Sequence, residues 1–154
     1  LSMKTIRTFC IVLAMLAFIN QKTMAQKKSP AVLNHIAVYV SSLTQSTQFY
    51  ESVFDLKIIP EPFKDGKHTW FSLGHAGQLH LIEGEKANQQ FDRNNHLCFS
   101  VADINEFIKE LQSASIKFES WAGESGGITH RADGVKQIYF KDPDGHWLEV
   151  NDAK

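Results

Sequence analysis

Four side chains of this 154-residue chain are candidate ligands for a divalent transition metal: His35, His80, His96 and Glu149. Imidazole nitrogens and carboxylate oxygens suit zinc, nickel, iron, manganese or cobalt. A set of four donors leaves a position open for water or substrate when the metal is five- or six-coordinate. Without His80 the set becomes two histidines and one carboxylate, an arrangement typical of non-haem iron enzymes.

An internal repeat places these four residues at equivalent positions. Residues 34–43 align without a gap on residues 95–104, which places His35 on His96. In the later half of each copy, His80 aligns with Glu149. Such self-similarity indicates two copies of one supersecondary unit.

Each copy is predicted to form a strand, a helix and then three strands. Ser42 begins a capping pattern for a helix that extends to Phe54, and Asp103 stands at the equivalent place in the second copy. Apolar residues at helical spacing follow Asp103, namely Ile104, Phe107, Ile108 and Leu111. In the first copy the predicted strands cover residues 34–40, 57–62, 68–73 and 78–83. In the second copy they cover the segment that aligns with 34–40, followed by residues 117–121, 136–141 and 146–151.

The alternation of residues along these strands assigns each candidate ligand to a face. Ile36, Val38 and Val40 share one side of the first strand, whereas His35 lies on the other side. Each of the four strands that contain a candidate ligand therefore has an apolar face, suited to packing under a helix, and a mixed face that carries the ligand. Glu83 has the parity of the apolar face and is a weaker candidate. A curved sheet built from two such copies would turn the four mixed faces toward one cavity.

Aromatic and basic residues could complete such a cavity. The candidate substrate-binding residues are Trp70, Trp121, Arg131, Tyr139 and Trp147, with Arg131 in a glycine-rich loop where it could meet an anionic group. The alternative is that the aromatic residues belong to the core and the charged residues to a solvated loop. Cys98 shares the mixed face with His96 and is interpreted as a small lining residue, since no base is identifiable beside it.

The N-terminal segment is predicted to be a secretory signal peptide spanning residues 1–25, because basic residues precede a short apolar run and a small-residue end. We therefore expect an exported, periplasmic or secreted protein without a stable membrane anchor after cleavage. Cys10 would leave with this peptide, so Cys98 would have no intrachain disulfide partner. With 16 Lys and Arg against 17 Asp and Glu, the formal net charge is −1, which makes nucleic acid an improbable partner.

Several motifs of the chain resemble the vicinal oxygen chelate superfamily, which includes glyoxalase I, fosfomycin-resistance thiol transferases, extradiol dioxygenases and bleomycin-resistance proteins. The motifs are His35-x-Ala37-x-x-Val40, Phe49-Tyr50, Asp55-Leu56-Lys57, His96-x-x-Phe99-x-Val101 and Phe140-x-Asp142-Pro143-Asp144-Gly145-x-x-x-Glu149. The resemblance spans roughly residues 32–152. Its last motif is specific for the superfamily but not for one reaction.

The resemblance implies an α+β fold of two tandem βαβββ modules, about 32–84 and 92–152, within a single domain covering 26–154. The modules would form a curved, incomplete barrel around a metal-binding cup, and a homodimer would complete two metal sites. By the same comparison His35, His96 and Glu149 match metal ligands. His80 stands where glyoxalases usually carry a glutamate, which leaves Glu149 as the single carboxylate available as a catalytic proton shuttle.

The function expected from this resemblance is that of a metal-dependent, glyoxalase I-like lyase or isomerase. Its small substrate would chelate the metal through neighbouring oxygens while Glu149 moves protons between adjacent carbons. Three alternatives stay open. One is a thiol transferase, which needs only two histidines and one glutamate; another is an extradiol-type dioxygenase. The third is a non-enzymatic protein that binds a flat small molecule.

Overall fold

The computed structural model describes residues 29–84 and 90–154. The predicted signal peptide, residues 1–25, lies outside the described residues. None of the helices in the described part combines the length and the apolar character that a membrane crossing requires.

The first module contains one helix and a mixed four-stranded sheet. Its elements are β1 (His35–Val40), α1 (Leu43–Phe54), β2 (Lys57–Ile59), β3 (His68–Ser72), a 3₁₀ turn (Gly74–Ala76) and β4 (Gln78–Glu83). The strand order is β1-β4-β3-β2, with β1 parallel to β4 and the other neighbours antiparallel.

The second module repeats this arrangement. Its elements are β5 (His96–Ser100), α2 (Ile104–Ser113), β6 (Thr129–His130), β7 (Lys136–Lys141) and β8 (Trp147–Asn151). The strand order is β5-β8-β7-β6, and β5 is parallel to β8 as β1 is to β4. The predicted α+β fold of two tandem modules is confirmed, with two open sheets rather than a closed barrel.

Both helices begin at the predicted residues. The Ser42 side chain accepts a hydrogen bond from the backbone N–H of Gln45, and Asp103 accepts from the N–H groups of Asn105 and Glu106. Side chains of this type satisfy the free N–H groups of a first helical turn. The sequence signal is reliable here because a cap involves residues only two or three positions apart.

The second sheet differs from the prediction at its outer edge. Residues 117–121 were predicted to form a strand, but only Glu119 makes isolated bridges, to Tyr139 and to Ser125. The chain instead turns back and adds the short strand β6, which the sequence analysis missed. The reason is that glycines with positive φ, including Gly126 at 71°, bend the intervening segment back toward β7.

The apolar faces of both sheets contribute to one core, and α1 packs against both. The Phe54 ring stacks on Phe99 of the second sheet with centroids 4.2 Å apart, while Tyr50 lies 6.3 Å from Phe71 of the first sheet. The predicted apolar positions, such as Leu79, are fully buried. Because these faces share a core, the mixed face of each sheet is directed away from it.

The turn at residues 142–145 connects the two modules through polar contacts, of which the one to Tyr50 is buried. Asp142 accepts a hydrogen bond from the hydroxyl of Tyr50 at 3.0 Å. Asp144 accepts from the backbone N–H and hydroxyl of Ser41 and from the hydroxyl of Ser46. Ser41, Ser46 and Tyr50 belong to the first module, so this turn ties the start of α1 to the second sheet.

Candidate metal centre

His96 and Glu149 form a close pair on the mixed face of the second sheet. His96 Nδ1 lies 2.7 Å from the backbone carbonyl oxygen of Arg93. A carbonyl can only accept, so Nδ1 carries a proton and donates to it. The other ring nitrogen, Nε2, lies 3.2 Å from Glu149 Oε2. At this distance the two atoms either form an ion pair, with a proton on Nε2, or share a metal ion.

Glu149 is 7% exposed, and its carboxylate is held by several donors. The Tyr139 hydroxyl donates to Oε2 at 2.6 Å, and Asn151 Nδ2 donates to Oε1 at 2.9 Å. Burial alone would raise the pKa of Glu149, but hydrogen bonds from Tyr139, Asn151 and Cys98, together with nearby His96, lower it. The carboxylate is therefore ionised and fixed in orientation, as a metal ligand must be.

Cys98 donates to the same carboxylate, with Sγ 3.4 Å from Glu149 Oε1. Burial, followed by the charge of Glu149 and this hydrogen bond, raises the pKa of the Cys98 thiol to about 12. A thiol that stays protonated is a poor nucleophile. This environment agrees with the interpretation of Cys98 as a lining residue.

His80 is enclosed between two rings on the mixed face of the first sheet. Its centroid is 4.3 Å from that of His35 and 3.9 Å from that of Trp70, and the rings are nearly parallel in both pairs. The Nε2 atom of His80 lies 2.8 Å from the amide oxygen of Gln78, so it carries the proton of the neutral ring. Burial lowers the pKa of His80, and the neighbouring histidines lower it further. The ring is therefore neutral and stacked, and its Nε2 atom already has a partner.

His35 is oriented in the same way as His96. Its Nδ1 atom lies 2.9 Å from the side-chain oxygen of Asn34, which leaves Nε2 as the free acceptor of an exposed ring. Histidines that bind metal are commonly held by a hydrogen bond from their other ring nitrogen. All three histidines meet this criterion, His35 and His96 through Nδ1 and His80 through Nε2.

The four predicted ligands form two pairs, one on each sheet. In the described part of one chain, no group of three or more His, Cys, Asp or Glu side chains is placed to hold a metal ion. The convergence of all four on one cavity, expected from strand parity, is therefore not met within a single chain. The physical reason is the shared core, because each sheet turns its mixed face away from it.

Three of the predicted substrate-binding residues lie together: Tyr139 and Trp147 on the second sheet and Trp121 in a turn beside it. Their aromatic rings surround the guanidinium of Arg93, whose central carbon lies 4.7 Å from the Trp147 ring and 5.8 Å from those of Trp121 and Tyr139. Arg93 also pairs with Glu119, which faces Tyr139 across a bridge. These residues border a cavity of 580 Å³, except for Trp121.

The other two predicted substrate-binding residues are placed differently. Trp70 is on the first sheet, where it stacks on His80. Arg131 directly follows β6 of the second sheet, pairs with Asp133 at 2.6 Å, and its charge opposes the rise in the pKa of Cys98. The two sets of aromatic residues are thus divided between the sheets in the same way as the candidate ligands.

Arg93 and Glu119 were missed by the sequence analysis. Arg93 lies in the polar joint between the two repeats, where no periodicity assigns a residue to a face. Glu119 lies within the predicted strand 117–121. The alternation of side chains between the two faces of that strand, compared with the face assigned to Tyr139, was the one signal that could have identified Glu119.

Comparison with known proteins establishes the family. Residues 32–150 match the Glyoxalase/Bleomycin resistance protein/Dioxygenase superfamily. The chain belongs to this superfamily. The resemblance drawn from the sequence motifs is therefore confirmed for nearly all of the predicted domain.

Individual members of this superfamily are related at low identity. Glyoxylase I 4 of Arabidopsis thaliana is 29% identical over 124 residues, which cover 77% of this chain and 68% of that protein. Metallothiol transferase FosB of Bacillus licheniformis is 31% identical over 122 residues, covering 77% and 73%. The structure of the fosfomycin resistance protein FosX from Listeria monocytogenes has a TM-score of 0.65 at 22% identity, covering 82% of this chain and 96% of that one, which shows the shared fold.

Proposed function

We propose that this protein is a metal-dependent enzyme that binds a small substrate through two neighbouring oxygen atoms. The observation that carries the proposal is the close approach of His96 Nε2 to Glu149 Oε2, 3.2 Å apart, with the His96 ring fixed by the hydrogen bond that its Nδ1 atom donates. The donor set fits a divalent transition metal. When bound, such an ion supplies Lewis-acid stabilisation of negative charge on the substrate oxygens.

The proposed ligands are His35 Nε2, His96 Nε2 and a carboxylate oxygen of Glu149. We leave His80 out of the proposed set because its ring is stacked between those of His35 and Trp70, where its role is to hold the His35 ring in place. In this role His80 stacks on one face of the His35 ring, with centroids 4.3 Å apart. Three protein ligands leave positions at the metal for two substrate oxygens.

The site is proposed to form between two copies of the chain, with His35 of one copy and His96 and Glu149 of the other. Two features support this arrangement. The candidate ligands of one chain are divided between its two sheets, and the apolar faces of these sheets share a core. A twofold homodimer that brings unlike mixed faces together would complete two equivalent sites.

The environment of Glu149 favours group transfer over isomerisation. Hydrogen bonds lower its pKa, so that it is a weak base, and His80 occupies the position of a possible second carboxylate. Addition of a thiol to an electrophilic substrate needs charge stabilisation but no carboxylate that carries a proton between carbons. We therefore rank a thiol-transferase reaction first, as in the relative named metallothiol transferase.

A glyoxalase-type isomerisation is the second candidate, supported by the 2.6 Å hydrogen bond between the Tyr139 hydroxyl and Glu149. In this reaction Glu149 would remove a proton from one carbon and return it to the next. Tyr139 would stabilise the carboxylate between these steps. The name of one relative, Glyoxylase I 4, agrees with this second candidate reaction.

Metal titration of the full chain tests the ligand assignment. After treatment with a chelator, the protein should bind about one Co²⁺ or Zn²⁺ per chain. Substituting His35, His96 or Glu149 by Gln should weaken binding by about 100-fold or more, because each change removes a ligand. His80→Phe is the matched control, since it keeps a ring in the stack but no nitrogen, and should change the Kd by less than about threefold. Absence of binding by the unsubstituted chain, or a loss in His80→Phe equal to that in His96→Gln, would refute the assignment.

Mixing two inactive variants tests the intermolecular site. His35→Ala and His96→Ala each damage every site when alone. If the site spans two copies, a mixed dimer contains one site with both substitutions and one intact site. After subunit exchange about a quarter of all sites should regain tight metal binding. No recovery from a mixture shown to exchange subunits would place all ligands in one chain.

Activity assays separate the two candidate reactions. The metal-loaded chain would be incubated with a thiol and an epoxide such as fosfomycin, and separately with a hemithioacetal of an α-ketoaldehyde. Loss of free thiol in the first assay, abolished in His96→Gln, supports transfer. Turnover in the second assay alone supports isomerisation, while tight metal-dependent ligand binding without turnover in either would refute both reactions.

A further inference from the structure

We propose that the cavity beside residues 116–119 is a binding site for a small organic dianion. It is the cavity of 580 Å³ that Tyr139 and Trp147 border on the mixed face of the second sheet. Lys117 and Lys141 supply the two positive charges with which the ligand pairs. The site needs neither a metal ion nor a second copy of the chain, so it is independent of the proposed function.

The pairing of two segments brings Lys117 and Lys141 to the same cavity. Backbone hydrogen bonds in both directions, of 2.8 and 2.9 Å, join Glu119 to Tyr139. In an antiparallel pair, the residue two positions before the first partner lies opposite the residue two positions after the second, and on the same face. Extended from this bridge, the register directs Lys117 toward Lys141 on the mixed face, and both residues border the cavity.

The charged residues that border the cavity leave it with a net positive charge. They are Arg93, Lys117, Lys141 and Glu119. Arg93 and Glu119 form an ion pair and neutralise each other, which leaves the charges of the two lysines. Within the described residues, neither lysine has a carboxylate at ion-pair distance. Like charges that face each other across strands are destabilising, so two negative charges between these lysines would be stabilised.

The Lys141 side chain is already ordered at the wall of the cavity. Its ammonium nitrogen lies 4.6 Å from the centroid of the Trp147 ring. A cation within about 6 Å of an indole centroid is attracted by the ring. A side chain that is held in this way loses less conformational entropy when it binds an anion.

The size of the cavity favours an organic ligand over a single inorganic ion. Sites for small molecules have volumes of about 300–1,000 Å³, whereas one water molecule occupies about 30 Å³ of the liquid. At 580 Å³, the cavity would remain mostly filled with water if it held a phosphate ion alone. Two positive charges beside the rings of Tyr139 and Trp147 suit a dicarboxylate or a phosphate monoester with a short carbon chain.

The site adjoins the candidate metal centre through Tyr139 but is separate from it. In the described part of the chain, none of the proposed metal ligands borders the cavity. The strand register places Trp147 between His96 and Lys141. Lys141 is thus two strand spacings away from His96, on the outer side of the sheet. An anion held by the lysines is therefore not a ligand of the metal.

Isothermal titration calorimetry of the full chain, after treatment with a chelator, tests the site. Succinate and glycerol 3-phosphate are the probes, and acetate is the monoanion control. We expect at least one of the two dianions to bind with a Kd of about 1 mM or lower, and acetate to bind at least about 10-fold more weakly. The dianion that binds more tightly identifies the ligand as a carboxylate or a phosphate ester. Binding should weaken as NaCl is added, because salt screens exposed charges.

Substitutions of single lysines test which charges hold the dianion. Lys117→Gln and Lys141→Gln should each weaken its binding by about 10-fold, because each removes one charged donor. Both lysines are exposed, so the variants should fold. Lys141→Arg keeps the charge and should stay within about threefold of the unsubstituted chain. Lys109→Gln is the matched control, because it removes a positive charge from α2 and should leave the Kd unchanged.

Four results would overturn this assignment. The first is a Kd above about 1 mM for both dianions. The second is an equal loss in Lys109→Gln and Lys141→Gln, which would indicate attraction to the net charge alone. Binding seen only after Zn²⁺ is added would instead assign the anion to the metal centre. Inorganic phosphate that binds as tightly as the organic probes would exclude a site built for an organic ligand.

Discussion

Removing the carboxylate of Asp144 should destabilise the protein through the contact between its two modules. Asp144 Oδ2 accepts a hydrogen bond from the Ser46 hydroxyl at 2.8 Å, and its Oδ1 accepts from the backbone and hydroxyl of Ser41. Ser46 is fully buried, whereas Ser41 is exposed. Water can replace the carboxylate at Ser41 but not readily at Ser46.

The expected cost follows from this difference. Leaving a buried hydroxyl without its partner costs about 1–3 kcal/mol, and the two exposed contacts add less because water replaces them. We expect Asp144→Ala to lower the free energy of unfolding by about 3 kcal/mol. For a domain of this size that corresponds to a decrease in Tm of about 10 °C. Asp144→Asn keeps one acceptor for Ser41 and should cost about half as much.

The effect should depend on pH in a defined direction. Burial by itself raises the pKa of Asp144, but hydrogen bonds from Ser41 and Ser46 and the nearby His146 lower it overall. A carboxyl group with a lowered pKa in the folded state stabilises the fold above its unfolded pKa, and this contribution is lost as the pH falls through the folded pKa. The stability gap between the unsubstituted chain and Asp144→Asn should therefore be constant near neutral pH and narrow below about pH 4.

Urea unfolding followed by tryptophan fluorescence, measured at several pH values, tests these expectations. Glu106→Gln is the matched control, because it makes the same carboxylate-to-amide change at an exposed ion pair with Lys109 and should cost less than about 0.5 kcal/mol. A cost for Asp144→Ala no larger than that of the control, or a gap that widens on acidification, would refute the reasoning.

Three further substitutions should destabilise the fold, each measured by thermal or urea unfolding. Gly77→Ala should cost about 2–3 kcal/mol, because φ is 109° and an added Cβ would lie 2.5 Å from the carbonyl oxygen of Asn34. Tyr50→Phe should cost about 1–2 kcal/mol, since it removes the buried hydrogen bond to Asp142. Asp103→Ala should cost about 1 kcal/mol through loss of the α2 cap.

Each of these three substitutions has a matched control. Gly123→Ala also has a positive φ but meets open space, so it should cost less than Gly77→Ala. Tyr39→Phe changes a partly exposed tyrosine and should have little effect. Asp103→Ser retains a capping oxygen and should restore most of the stability lost in Asp103→Ala. A control that is as costly as its test substitution would contradict the corresponding assignment.

Local patterns in the sequence were sufficient to predict most of the architecture. The repeat predicted two modules, and alternation in the strands assigned Val40, Leu81 and Val150 to the core, where all three are fully buried. The caps Ser42 and Asp103 marked the first turns of both helices. These signals are strong because they depend on residues close in sequence and on fixed periods of 2.0 and 3.6 residues.

The irregular parts of the fold were not predictable in this way. Residues 117–121 have the composition of a strand, yet the glycines that follow bend the chain so that Thr129–His130 takes the edge position beside β7. Strand propensity depends strongly on the neighbours that a segment finds in the sheet. Which segment pairs with β7 is therefore decided by the tertiary structure.

The sequence by itself determined which residues lie on the mixed faces, because parity is a property of each strand alone. The tertiary structure decided how those residues are grouped, because it places His96 next to Glu149 and stacks His35 on His80. It also packs the Arg93 guanidinium against the Trp147 ring of the second sheet. These groupings depend on contacts between segments far apart in the chain and on a core that both sheets share. Periodicity along one strand contains no information about such distances.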